Sequence, residues 1–212
     1  MESSSRKRKL PLFYPEIDPP HLKYTEADRI RAFRSQPLDF IKRYLIPKGP
    51  DEAVLLPPIM HLAWLVDQDR MYEYALAHGV NAMVYDHDGD HRNYFDACNE
   101  AVNFMLEDFG IPYDPRIEIV YVCKGDYNPD AIDPEYDNFH PALSIGTNYQ
   151  GLIPEEQADK LKAFLAPGVQ PRWYLDQDEW NWSKAPKRAK SNGKSKPKKK
   201  TPTPSNDLGA SS

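Results

Sequence analysis

The sequence predicts an α+β fold, helices packed on a small antiparallel sheet, with disordered basic termini. Three observations carry that reading. Apolar residues recur at helical spacing along 95–109 and again along 154–165, whereas between them, at Ile117, Ile119 and Tyr121, the period drops to two. Proline is abundant, with 21 residues spread through body and tail, which keeps elements short and separated by rigid corners. Charge is sorted by position: nine Lys or Arg and no acid from Lys184 to Lys200, four more bases at Arg6 to Lys9, and thirty acids against fourteen bases over residues 10–182.

Taken in order, residues 1–9 are Ser-rich and then basic, and their lack of apolar periodicity predicts disorder. Residues 10–182 are expected to form one acidic domain, and 183–212, rich in Lys, Pro and Ser, a disordered tail. The lead-in over 10–22 is extended and lays Leu12, Phe13, Tyr14 and Ile17 against the body. Thr25 is placed to cap a short helix bearing Ile30 and Phe33, which stops before Pro37. Leu38, Ile41 and Leu45 give a second helix between Pro37 and Pro47. The run from Ile59 to Val66 is apolar on nearly every face and reads as a central helix, buried or meeting a partner. Asp67 or Asp69 caps the next helix, through Met71, Tyr74 and Ala75 to His78, with Gly79 closing it. Asp90 caps the clearest helix, whose stripe is Phe95, Cys98, Val102, Met105 and Phe109 and whose stop is Gly110 and Pro112. Strands follow at Ile117 to Val122 and Ala142 to Thr147, joined by a long Pro- and Asp-rich loop from Gly125 to Pro141. Pro154 to Leu165 is a further amphipathic helix, and Trp173, Tyr174 and Leu175 form a short third strand.

The acidic stretch over residues 10–182 carries a formal charge of −16, which repels phosphate backbones and lipid headgroups. Contact with nucleic acid is therefore expected to run through the tails and to be sequence-independent, and no membrane partner is expected. Two cysteines, Cys98 and Cys123, fall on a helix stripe and a strand and read as buried thiols of a reducing compartment. The chain has no Gly-x-Ser-x-Gly elbow, no Cys-x-x-Cys, no His-Glu-x-x-His and no glycine-rich phosphate loop, so no motif points to an enzyme.

Two acidic loops invite a metal. Asp86, His87, Asp88, Asp90 and His91, with Gly89 among them, offer carboxylate and imidazole donors suited to a divalent ion, as a metal-dependent hydrolase would need. The competing reading is a turn at Asp88-Gly89 and a helix cap at Asp90. A catalytic site would also recruit a ligand from afar, with His61, His78 and His140 as the candidates. Asp126, Asn128, Asp130, Asp133, Glu135 and Asp137 space oxygen donors as a calcium loop does. Ala131 stands where that pattern needs Gly, and Asp137 where it needs Glu, which favours a solvated loop.

Three of four tryptophans lie between Trp173 and Trp182. Trp180 and Trp182 either anchor a protein partner or seal the edge of the core. Lys187-Arg188, a nine-residue spacer and Lys198-Lys199-Lys200 resemble a bipartite nuclear localisation signal, and Arg6-Lys7-Arg8-Lys9 a short one. These imply a nuclear import receptor as partner, against the plainer reading of a solubilising lysine tail. The block Gly168-Val169-Gln170-Pro171-Arg172-Trp173-Tyr174-Leu175-Asp176, with Trp180-Asn181-Trp182, resembles a recurring block in uncharacterised fungal proteins. That resemblance implies a eukaryotic origin, in keeping with nuclear import, and carries no activity or functional residue. The expectation is a non-enzymatic nuclear protein, without a cofactor, whose body meets protein partners still unknown.

Overall fold

The computed structural model describes residues 24–47, 55–80, 83–86 and 89–185. Its centre is an antiparallel sheet with strands in the order β5 (Ile117–Val122), β6 (His140–Thr147), β2 (Met60–Leu65) and β8 (Arg172–Leu175). The two-residue β7 (Gly151–Leu152) also pairs with β6. Four helices surround it: α1 (Glu26–Arg34), α2 (Gln68–Ala77), α3 (Tyr94–Asp108) and α5 (Glu155–Leu165), with a single-turn α4 (Pro134–Asp137) in the loop between β5 and β6. Two small ribbons complete the architecture, β1 (Leu55–Leu56) with β9 (Ser183–Lys184) and β3 (Met83–Asp86) with β4 (Gly89–Arg92). The expected α+β class is what forms.

Among the described residues three apolar clusters hold the layers together, the least of them Ala63, Val122, Ala142 and Tyr174 on the sheet. In the largest, Trp64, Leu143, Ile145 and Ile117 of the sheet meet Met71 and Tyr72 of α2, Cys98, Val102 and Met105 of α3, and Leu161 of α5. In the next, Phe33 of α1 meets Met60, Leu175, Cys123, Tyr127 and Phe139. Each large side chain so enclosed contributes about 1.5–3 kcal/mol.

The helix ends follow from local chemistry. Thr25 and Asp28 exchange side-chain-to-backbone hydrogen bonds in a capping box, Asp28 N–H to Thr25 Oγ1 at 3.3 Å and Thr25 N–H to Asp28 Oδ2 at 3.0 Å. Asp67 accepts from the amides of Asp69 and Arg70 to open α2, and Gly79 adopts φ +86° just past its end, as expected. The cap of α3 is Asn93, whose Oδ1 accepts from Asp96 N–H at 3.1 Å. Asp90, expected in that role, lies in β4 opposite Tyr85.

The run expected as a central helix is instead the central strand. β2 has a partner on each edge, β6 and β8, and Met60, His61, Ala63 and Trp64 are all buried. A strand covered on both faces shows the same nearly continuous apolar run as a buried helix, and the six residues from Met60 to Leu65 suit a strand. The helix expected from Pro37 also fails to form. Leu38 exchanges hydrogen bonds with Trp173, donating at 2.8 Å and accepting at 2.9 Å, so its backbone extends the sheet. Only Arg43–Leu45 coils, as a 3-10 turn. At the other end, Ser183 and Lys184 pair with Leu56 and Leu55, so the first residues of the expected tail belong to a ribbon.

Trp182 is buried at 8% exposure, and Trp180 packs on the Phe33 cluster with its ring 5.4 Å from that of Tyr24. Trp182 is thus enclosed by the fold, while Trp180 is only partly buried.

Candidate functional site

A groove of about 660 Å³ opens where the start of α2, the start of α3, the end of β5, α4 and the start of β6 meet. Gln68, Phe95, Tyr121, Tyr136, Asp137, Phe139, His140 and Gln177 line it. Two of its aromatics stand largely in solvent, Phe95 at 54% and Tyr136 at 79% exposure. Phe95 stacks on Tyr121 with ring centres 6.1 Å apart and planes 15° from parallel. Exposed stacked rings beside a cavity form an apolar surface ready for a ligand.

The wall carrying Tyr136 and Asp137 is built by one buried amide. Asn138, 3% exposed, donates through Nδ2 to the carbonyls of Asn128 (2.9 Å) and Pro134 (2.8 Å) and accepts from Asn128 N–H. Asp133 caps α4, and Pro134 starts it with a fixed φ. Burial lowers the pKa of His140, the Lys124 ammonium adds to the effect, and Asp126 opposes it, so the ring is neutral at pH 7. Burial, with the neighbouring Cys98 and Tyr136, raises that of the Tyr121 hydroxyl.

A second constellation has the residue types of a hydrolase triad. His61 Nδ1 lies 3.2 Å from Ser144 Oγ, and His61 Nε2 lies 3.0 Å from Asp176 Oδ2. Ser144 is fully enclosed in β6 and His61 is 4% exposed, so no substrate can reach the hydroxyl. The group ties three neighbouring elements together across the sheet. Burial, the largest effect on Asp176, pushes its pKa upward, but the hydrogen bonds from His61 and from the Glu179 and Asp178 amides together outweigh it and leave the carboxyl below its ordinary value. A third group, Tyr74, His78 and Asp108, joins the ends of α2 and α3. Tyr74 donates to Asp108 Oδ2, His78 Nε2 lies 3.2 Å from the same oxygen, and the Tyr74 bond is the main cause of a lowered Asp108 pKa.

Of the residues singled out in the sequence, His87, Asp88, Arg6 to Lys9 and the tail bases Lys187, Arg188, Lys198, Lys199 and Lys200 lie outside the described residues, as do Leu12, Phe13, Tyr14 and Ile17. The backbone places Asp86 opposite Gly89 and His91 opposite Val84 in the β3–β4 hairpin. Among the described residues no group of three or more His, Cys, Asp or Glu is arranged to hold a metal ion. His61, His78 and His140 do not converge: they face Asp176, Asp108 and Asp126 respectively. In the second acidic loop Asn128 accepts from Asp130 N–H and Asp137 from Asp133 N–H, so these two side chains serve the loop's own backbone, while Asp126 faces Lys124 and His140. Sequence reasoning missed the groove. Its helical spacing assigns Phe95 to the buried stripe of α3, and only its place in the first turn of that helix marks it as different. No known family, curated protein or solved structure matches the chain.

Proposed function

We propose that this is a non-enzymatic nuclear protein whose acidic body binds other proteins through the groove at Phe95, Tyr121 and Tyr136. The basic tails deliver it to the nucleus by engaging an import receptor and touch nucleic acid without sequence preference. One observation carries the binding role: two large aromatic side chains stand in solvent at the mouth of a cavity of about 660 Å³, Phe95 on the first turn of α3 and Tyr136 on a loop that a buried Asn138 fixes in place. The hydrolase-like alternative at His61 lacks a reachable nucleophile. The charge sorting of the sequence supports the addressing role of the tails.

The test has two arms on the full chain. In the first, a photo-crosslinking amino acid at position 136 should capture discrete nuclear proteins, and the same group at Tyr113 should not. Tyr113 is as exposed as Tyr136, and α3 runs about 22 Å from the groove end toward it. In the second, neutralising Lys187, Arg188, Lys198, Lys199, Lys200 and Arg6 to Lys9 should abolish nuclear accumulation. Identical adducts at 136 and 113 overturn the binding role, and unchanged accumulation overturns the addressing role.

A further inference from the structure

We infer that the groove recognises a lysine or arginine side chain in an extended basic segment of a partner protein. The inference rests on the reading of the body as protein-binding and names the chemistry of the partner. Three features of the site point the same way. Its walls are aromatic faces, Phe95 stacked on Tyr121 on one side and the exposed Tyr136 on another, and ring faces attract cations. Its carboxylate is Asp137, on a stretch from Lys124 to Asp137 that holds five acids and one base. That base, Lys124, already lies 3.4 Å from Asp126. The lining contains no Lys or Arg, and burial lowers the pKa of His140, so the groove holds no fixed positive charge to favour a phosphate or an acidic peptide.

The dimensions agree with a peptide. A cavity of about 660 Å³ exceeds one side chain and suits a segment of a few residues. The aliphatic stem of the inserted side chain would lie along Tyr121 and Phe139, as such stems lie along apolar surface while the charged head stays with polar groups. Gln68 and Gln177, also in the lining, supply amide groups for the main chain of an extended segment.

An acidic body attracts any cationic peptide, so the test must separate the groove from the general field. The probe is an acetylated Gly-Ser dodecapeptide with a central Arg-Lys pair, titrated against the full chain by fluorescence anisotropy, with a Glu-Glu version as control. Phe95→Ala and Tyr136→Ala leave the charge unchanged and alter exposed side chains. Each should weaken binding of the basic peptide about two- to thirty-fold, with a smaller loss for Asp137→Asn, while Tyr113→Ala has no effect. Equal affinity across wild type, Phe95→Ala and Tyr136→Ala, or preference for the Glu-Glu peptide, overturns the inference.

A full-chain variant with Gln at Lys187, Arg188, Lys198, Lys199 and Lys200 addresses the source. Unchanged peptide affinity in that variant supports a partner protein as occupant. Binding that emerges only in the variant identifies the chain's own tail as occupant and overturns the assignment to a partner. Failure of the basic peptide while crosslinks at position 136 persist overturns the cation chemistry and leaves the protein-binding reading intact.

Discussion

Replacing Asp176 by Ala removes three hydrogen bonds at once. The carboxylate accepts from His61 Nε2 at 3.0 Å and from the amides of Asp178 and Glu179 at 2.8 and 2.7 Å. A bond from an almost fully buried imidazole to an ionised acceptor contributes about 2 kcal/mol, and the two turn bonds, which water can replace, about 1 kcal/mol each. The expected loss is about 4 kcal/mol, which lowers the melting temperature by about 8–16 °C for a chain of this size. Asp176→Asn keeps an oxygen for the two amides, and its NH₂ can donate to His61 Nε2 once the imidazole proton sits on Nδ1, facing Ser144. That variant should lose only about 1 kcal/mol. Urea unfolding followed by tryptophan fluorescence at pH 7 measures both. The folded pKa of Asp176 lies below the ordinary value of 3.8, so its ionic contribution is complete above that value and disappears as the pH falls through the folded pKa. The gap between wild type and Asp176→Ala should therefore narrow in acid. A loss under about 1 kcal/mol for Asp176→Ala, or equal losses for the Ala and Asn variants, would refute the bridge as a load shared by three elements.

Three further outcomes are expected. Gly146→Ala should cost about 3 kcal/mol or more by chemical denaturation, because φ is +138° and a Cβ there would sit 2.1 Å from Gly151 O and 2.9 Å from Leu152 Cα, both backbone atoms of β7. Burial pushes the pKa of the Cys98 thiol up to about 11 and raises that of Cys123, so at pH 8 a disulfide reagent should react with neither in the native chain and with both in urea. Elemental analysis of purified full chain should give well under one metal per molecule, with no melting shift on adding zinc; stoichiometric metal would favour Asp86, His87, Asp88, Asp90 and His91 as ligands.

What the sequence made legible divides by the range of the forces involved. α1, α2, α3, α5 and the strands β5, β6 and β8 were readable because caps and periodicity are local: Thr25, Asp67 and Gly79 act within a few residues of themselves. β2 was not, because Met60 to Leu65 is apolar but for His61 and only partners 77 or more residues away decide between strand and helix. Leu38 was misread for the same reason, its fate lying with Trp173. The groove was invisible in the sequence because its residues come from six separate segments. Each taken singly looks ordinary: Phe95 a core residue, Tyr136 a loop aromatic, His140 a residue near the end of the same loop. The buried His61 pairing escaped notice likewise, since Ser144 and Asp176 become its neighbours only when β6 and β8 flank β2.

The lateness of those neighbours has a consequence for biosynthesis. β6 begins 75 residues after β2 ends, and β8 starts 107 residues after it. With a ribosome adding roughly 5–20 residues per second, the central strand is made about 4–15 s before its first neighbour and longer still before its second. Through that interval the nascent Met60–Leu65 segment is a natural client for holdase chaperones, and a stalled or truncated translation product ending before β6 would be marked for clearance by the same exposed surface.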